Sequence, residues 1–474
     1  MDTMDIPGDV IGRVGASDVT WRPDPRPDAA DREAARIRVP MDYSCPEITI
    51  ELAVSRIPAR GAARGCLVAL NGGPGGDSGQ GKDVIHVLEA QGLADSYDLI
   101  GFDPRGFGDS TFLAAEVTPV RATFDSRPSD EVFETIASDM RAREDGCARR
   151  GGDFRRHVTT RNTARDIDVI RHALGYEQIS FVGYAYGTAV GAAYGEMFPG
   201  RLDRTVLDSC VHPGWRWEEQ FLYQVDTIKR NVNTWAGWEA EVSGGFGADV
   251  RGVRGSVEEV AEGLVKLSGT AARSSFDALV GTMAASRPEW GSLSEVVRTL
   301  SQALAAKDAD QAGTILRRAT RWRASDAEGA VRCGVLDAVT LEHPWSREVE
   351  GYFGRMRTVR DQCPYGLAIV RAYPWVGTFT AMTPTEEATK ISRRDRETGL
   401  VIQADSDVMD HRDGGAEMAD RLGYRLVRVQ DSGEHEIFGM TGNATVDAIV
   451  LDYLLRGTLP AENTDCPGPP RPQR

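Results

Sequence analysis

Along the first 210 positions the apolar residues follow two alternating periods. ITIELAVSRI (48–57) alternates with period two, as a half-buried strand does. CLVAL (66–70), YDLIGFD (97–103), ISFVGYA (179–185) and RTVLDSC (204–210) are short apolar runs of buried-strand type. Between them KDVIHVLEAQGL (82–93), TARDIDVIRHALG (163–175) and the Ala/Gly-rich stretch that runs to Pro199 carry helical spacing. Strands alternating with helices predict an α/β fold, a mostly parallel central sheet with helices on both faces.

After His212-Pro213 the period changes. Residues 213–395 contain EEQFLYQVDTIKRNVNTWAGWEAEV, SVEEVAEGLVKLSG, SLSEVVRTLSQALAAKD and DQAGTILRRATRWR, all helical in spacing, and no clear strand. Strand patterns then return in GLVIQAD (399–405) and YRLVRVQDSG (424–433), each followed by a helical one, EMADRLG and TVDAIVLDYLLRG. The expectation is one α/β core split in sequence, 1–212 and 396–474, with a helical cap, 213–395, inserted between its parts. The Pro-rich tail PGPPRPQR is expected to be disordered.

Composition narrows the function classes. Lys and Arg number 55 against 71 Asp and Glu, a net charge of −16 in 474 residues, which argues against a nucleic-acid partner. No run approaches the roughly 18 apolar residues of a membrane span. The N-terminus has neither a basic start nor an apolar segment, so the chain as it stands reads as cytoplasmic, or as secreted if it is a trimmed mature form. The seven cysteines form no C-x-x-C pair, and no metal or other cofactor is expected. Cys333 and Cys363 would be free to bridge in an oxidising compartment, and buried free thiols fit as well.

The chemistry sits at strand ends. Gly183-Tyr184-Ala185-Tyr186-Gly187 has the frame G-x-S-x-G of a nucleophile elbow, with Ala in the Ser position, between an apolar strand and a small-residue helix. Gly72-Gly73-Pro74-Gly75-Gly76 follows strand CLVAL and can aim a backbone N–H at a developing oxyanion. Gly73 and Tyr186 are the candidate donors. Asp407 ends the strand GLVIQADSD, and His435 lies in DSGEHEIFG after the next. The order elbow, Asp, His is that of an α/β-hydrolase triad. Asp405 and Asp410 flank Asp407, and His411 is the main rival histidine, but it lies only four residues from Asp407 and before the last strand.

These residues carry a resemblance. VTWRPDP, RIRVPMDYSCP, GGPGG, YDLIGFDPRGFGDS, HVTTRNTARDIDVIRHALG, GYAYGT, FPGRLDRTVLDSC and YLLRGTLPAENTDCPG together are similar to the tripeptidyl aminopeptidase and proline iminopeptidase-like α/β hydrolases of actinomycetes. The resemblance implies an α/β-hydrolase fold with a large helical cap and no cofactor. It also implies a triad at Ala185, Asp407 and His435. Four departures stand out: Ala185 for Ser, Leu70-Asn71 for the usual Asn-Pro, His212-Pro213 for Asp-Pro, and no secretory signal.

A methyl group cannot attack a carbonyl, so this chain is expected to be inactive in acyl transfer. An altered active parent and a natural pseudoenzyme are the two origins for Ala185, and the retained Asp, His and glycine loop favour the first. Ser78 and Cys210 are weak substitute nucleophiles, because neither sits on an elbow. Eight of the nine Trp lie in the insert, which predicts a large, partly aromatic pocket for a small peptide or a bulky acylated or aromatic substrate. Trp215 and Trp217 are its candidate walls. Glu218 and Glu219 are candidate anchors for a free amino terminus, or else an exposed helix face. The expected parent activity is an exo-acting aminopeptidase, with an esterase or amide hydrolase of secondary metabolism as the alternative.

Overall fold

The computed structural model describes residues 19–24, 31–75, 81–242, 245–320, 331–392 and 398–473. The strands, in chain order, are β1 (Arg22–Pro23), β2 (Glu33–Asp42), β3 (Cys45–Ile57), β4 (Gly65–Leu70), β5 (Tyr97–Phe102), β6 (Ala114–Glu116), β7 (Ile179–Tyr184), β8 (Leu202–Asp208), β9 (Val331–Cys333), β10 (Leu400–Ala404), β11 (Arg425–Gln430) and β12 (Thr464–Pro467). Ten of them form one sheet in the order β1-β2-β3-β5-β4-β7-β8-β10-β11-β12. From β5 to β12 neighbouring strands run parallel, while β1, β2 and β3 add an antiparallel edge. This is the α/β-hydrolase fold, a mostly parallel sheet flanked by helices.

β4, β7 and β10 are buried throughout apart from Gly65, which explains their unbroken apolar runs. Apolar clusters cover both faces of the sheet. One holds Val68, Phe181 and Leu207, the other Leu67, Val182 and Val206, so alternate residues of the same strands face opposite ways.

The sheet breaks off after β8 and resumes at β10, and the intervening residues are mainly helical. Their long helices are Trp217–Val242, Val250–Ser268, Thr270–Ala285, Trp290–Ala306, Ala309–Thr320 and Val349–Gln362. They pack around their own core, with Trp235 and Trp290 fully buried in it.

Three features differ from the sequence reading. The cap region does contain a strand: β9 pairs antiparallel with β6, which lies just after β5 in the first part of the chain. The helix Phe133–Gly151 also joins the cap core, through Phe133, Ile136 and Ala137. The cap is thus built from two segments of sequence, and the three-residue pairing that joins them is too short to show a period. Finally, the tail is ordered where it is described. β12 pairs with β11, and Arg471 forms a bidentate pair with Asp431 and lies 4.8 Å from the Trp290 ring centroid.

Among the described residues no helix is long and apolar enough to cross a membrane. Cys333 and Cys363 are both free thiols, so the bridge left open from the sequence is not formed.

Candidate active site

The turn from β7 into the helix Tyr186–Met197 places Ala185 at φ 47°, ψ −119°, a conformation rare for a residue with a Cβ. The flanking glycines permit it. A Cβ on Gly187 would overlap the Leu70 carbonyl oxygen, and one on Gly183 would come within 2.7 Å of the Gly187 oxygen. Ala185 N–H donates to the Asp208 carbonyl oxygen at 2.9 Å, fixing the turn to β8. The elbow is therefore a sharp, strained turn whose tip carries only a methyl.

The loop after β4 meets this tip. A Cβ on Gly72 would overlap the Ala185 Cβ and stand 3.4 Å from the Tyr186 nitrogen, so Gly72 passes as close to the elbow as a backbone can. Neither the Gly73 nor the Tyr186 N–H has a hydrogen-bond partner among the described residues. Ser78 and Gly76 lie outside the described residues, as does Trp322.

Asp407 and His435 follow the neighbouring strands β10 and β11, and His435 Nδ1 lies 2.9 Å from Asp407 Oδ2. The other Asp407 oxygen accepts the backbone N–H groups of Met409 (2.8 Å) and Asp410 (3.1 Å). Burial disfavours a charged His435 ring, but the Asp407 carboxylate overrides it, with Asp410 and Glu436 adding to the effect, and the pKa is pushed up to about 10.

The rival residues have other work. Asp405 accepts the backbone N–H groups of Asp431 and Ser432. His411 caps the helix Arg412–Leu422 by accepting from Asp413 N–H. Cys210 is fully buried, and burial pushes its thiol far up, away from the thiolate form.

Three further groups stand at the site, of which the sequence named only Asp410, as a rival acid to Asp407. Asp208 is fully buried and accepts Ile437 N–H (3.0 Å) and Phe438 N–H (2.6 Å), while Ser209 Oγ donates to it and accepts Glu436 N–H. It braces the histidine loop against β8. Asp410 is buried beside the pair, and burial pushes its carboxyl up to about 7, opposed by His435. Glu436, at φ 57°, aims Oε1 to within 3.1 Å of the point where a Gly72 Cβ would sit, the same point that the Ala185 methyl crowds. Glu436, an acid directly after the histidine, also had a signal in the sequence; Asp208 had none.

The cap holds the acid loop from above. On its first helix, Asn231 Nδ2 donates to the Ser406 carbonyl (2.8 Å) and Gln224 Nε2 to that of Met409 (2.6 Å).

A cavity of about 860 Å³ lies between cap and core, beside the elbow helix. Trp215 and Trp217 line it together with Pro213, Ile391 and Met418, whereas Ala185, Asp407 and His435 do not. Tyr186 joins the two places. Its N–H is at the elbow, its ring packs 6.1 Å from that of Trp217, and its hydroxyl lies 2.9 Å from Thr160 Oγ1 on the cavity wall.

Glu218 and Glu219 do not line the cavity. Glu218 is buried in an ion pair with Arg355, and Glu219 accepts the Arg216 N–H, closing the first turn of its helix. Three glutamates line the cavity: Glu387, Glu386, which pairs with Arg161 and Arg165, and the half-buried Glu342. Glu342 accepts from the N–H and hydroxyl of Thr160, and burial pushes it up to about 7.

Comparison with known proteins agrees with this architecture. Residues 65–251 match the family described as alpha/beta hydrolase fold, and residues 375–466 match the one described as TAP-like protein. The tripeptidyl aminopeptidase of Streptomyces lividans is 30% identical over 466 residues, covering 91% of this chain and 82% of that protein. The chain belongs to the α/β-hydrolase family of the tripeptidyl aminopeptidases. Other relatives in the family include serine protease Hip1 of Mycobacterium tuberculosis, 28% identical over 91% of this chain and 86% of that one. Carboxylesterase B of the same organism is 29% identical, with the same coverage.

Proposed function

We propose that the site is that of an exo-acting aminopeptidase of the tripeptidyl or prolyl type, carried by a chain that lacks the nucleophile for an acyl-enzyme. The single observation that supports it best is the Asp407–His435 pair, held at 2.9 Å at the strand ends beside an elbow whose tip is a methyl. In this reading a Ser at position 185 attacks the carbonyl. His435 takes its proton and returns it to the leaving amine, and Asp407 orients the ring. The Gly73 and Tyr186 N–H groups receive the oxyanion. The cavity beside the elbow takes the amino-terminal part of a short peptide, with Glu342 as the carboxyl nearest to hand for its amine. The names of the relatives, a tripeptidyl aminopeptidase and a serine protease, favour peptide over other amides.

Loss of the nucleophile should lower acyl transfer by a factor on the order of 10⁶ in kcat. The test is Ala185→Ser. The variant is expected to take a serine-directed phosphonate label and to cleave aminoacyl or tripeptidyl anilides, while the parent takes no label. A variant that is neither labelled nor active on any amide or ester refutes the reading.

A second reading rests on the cavity walls. Trp215, Trp217, Ile391 and Met418 make an apolar chamber suited to a bulky aromatic or acyl group, and one relative is named a carboxylesterase. Esters cleaved in preference to peptidyl anilides by the Ala185→Ser form would select it.

A further inference from the structure

The acid loop and the histidine loop are joined just ahead of the two residues that the site needs. Asp405 accepts the backbone N–H groups of Asp431 and Ser432, and Ser406 N–H donates to the Ser432 carbonyl at 2.9 Å. Asp407 directly follows Ser406, and His435 stands three residues after Ser432. The spacing of the pair therefore depends on what holds Ser406 and Asp431.

One cap side chain holds both. Arg287 lies in the turn between the helices Thr270–Ala285 and Trp290–Ala306, and its side chain is 1% exposed. Its Nε donates to Asp431 Oδ1 (3.1 Å), and its Nη1 donates to Asn231 Oδ1 (2.7 Å) and to the Ala285 carbonyl (3.0 Å). Asn231, fully buried on the first cap helix, carries the contact on through Nδ2 to the Ser406 carbonyl (2.8 Å). The cap backbone meets the histidine loop at the same place: a Cβ on Gly433 would come within 2.3 Å of the Ala285 carbonyl oxygen.

A stabilising ion pair alone does not account for this arrangement. Asp431 already has a partner in Arg471, which binds both of its oxygens at 2.6 and 3.0 Å. A second, buried cation on the same carboxylate brings a desolvation cost that a shared partner offsets only in part. What Arg287 adds is direction: a planar fork that reaches two acceptors at once, one leading to each loop. The helix Trp217–Val242 that carries Asn231 also carries Trp217 at the cavity wall and Gln224 on the Met409 carbonyl, so the cavity and the acid loop share one rigid element.

We propose that Arg287 is a positioning residue of the Asp407–His435 pair, holding the histidine loop through Asp431 and the acid loop through Asn231. It touches no reacting atom. Its effect on turnover rests on the hydrolase reading above, and its effect on the geometry of the pair does not.

The experiment uses Arg287→Lys. Lysine keeps the charge, but its single nitrogen cannot serve both acceptors. In the Ala185→Ser form, kcat on tripeptidyl anilides should fall by about 10- to 100-fold with KM within about twofold, because a displacement of about 1 Å in a catalytic group is worth that much. In the chain as it stands, the NMR titration midpoint of His435 should fall by at least about half a unit, since Asp407 is held less closely against the ring while the net charge is the same. Asn231→Ala removes the arm to Ser406 and leaves the ion pair, and it should repeat both effects. Arg471→Ala takes a cation from the same Asp431 without touching either arm. It should lower the melting temperature and leave kcat unchanged.

A midpoint unmoved in both Arg287→Lys and Asn231→Ala, or a kcat unchanged in an active Ala185→Ser background, overturns the proposal and makes the guanidinium a packing cation. So does an equal loss of kcat in Arg471→Ala, which would assign the effect to general loosening. If the Ala185→Ser form cleaves nothing, the hydrolase reading fails, and the midpoints in the parent chain still decide whether Arg287 holds the pair.

Discussion

Asp407 Oδ2 stands 2.9 Å from His435 Nδ1, and the two residues leave adjacent parallel strands in the same direction. With Asp410 and Glu436 close by, the ring is surrounded by negative charge. Its carbon-bound protons should titrate near pH 10 by NMR, against 6.5 for an ordinary histidine. Asp407→Asn should bring the midpoint down by more than one unit, since it removes the largest favourable interaction. A midpoint in the parent below 7 would show that the carboxylates do not govern the ring. The sign for stability follows. The folded pKa is raised, so the contribution is complete below pH 6.5 and is lost as pH rises through about 10.

Asp410 predicts a different window. Burial raises its pKa from 3.8 to about 7, so the folded chain keeps a proton that the unfolded chain releases. Its favourable contribution is complete below about pH 3.8 and is lost as pH climbs through 7. Asp410→Asn imitates the protonated form at every pH. The melting temperature of this variant relative to the parent should therefore rise between pH 4 and pH 7 and level off above. A flat difference across that range would show that Asp410 is ionised throughout.

Cap and cavity give a third prediction, which separates substrate contact from packing. Trp217 lines the cavity and packs on Tyr186, so Trp217→Ala in the Ala185→Ser form should raise KM several-fold. Glu218→Gln should leave KM unchanged and lower the melting temperature instead, because it removes the buried partner of Arg355. A KM effect from Glu218→Gln with unchanged melting would reinstate it as an anchor.

What was legible from sequence followed period and strand ends. β4, β5, β7, β8 and β10 showed as apolar runs, because strands buried on both faces have little choice of residue, while β11 showed as an alternation, with Arg428 and Gln430 exposed. The long cap helices with a clean apolar stripe, such as Val250–Ser268 and Trp290–Ala306, showed as well. The helix Thr270–Ala285 did not, since Ser, Thr, Gly and Ala dilute its stripe. β6, β9 and β12 are three or four residues long and set by their partners rather than by pattern. At the site, the residues on strand ends could be read because motif order names them. Asp208 could not, for it acts through burial and through neighbours distant in sequence, and Asp410 could be named only as a rival acid, since its raised pKa comes from burial. Glu218 misled for the same reason: its partner Arg355 is 137 positions away.

The last prediction concerns the frame beneath the site. Arg105, just after β5, is fully buried and makes a bidentate pair with Asp166 on the helix Thr160–Ala173, at 2.7 and 2.6 Å. Its remaining N–H groups donate to the carbonyls of Pro40, Met41 and His157, and Tyr43 donates its hydroxyl to Asp166. One guanidinium thus ties β2, the loop after β5 and the helix that carries Thr160 at the cavity wall. Asp166→Ala leaves that charge buried without a counterion and should cost about 3–5 kcal/mol in urea unfolding. Replacing both members, Arg105→Met with Asp166→Leu, should cost clearly less, because no charge is then stranded. If the single variant loses under about 1 kcal/mol, water has reached the guanidinium and the pair is not the clamp that its geometry describes.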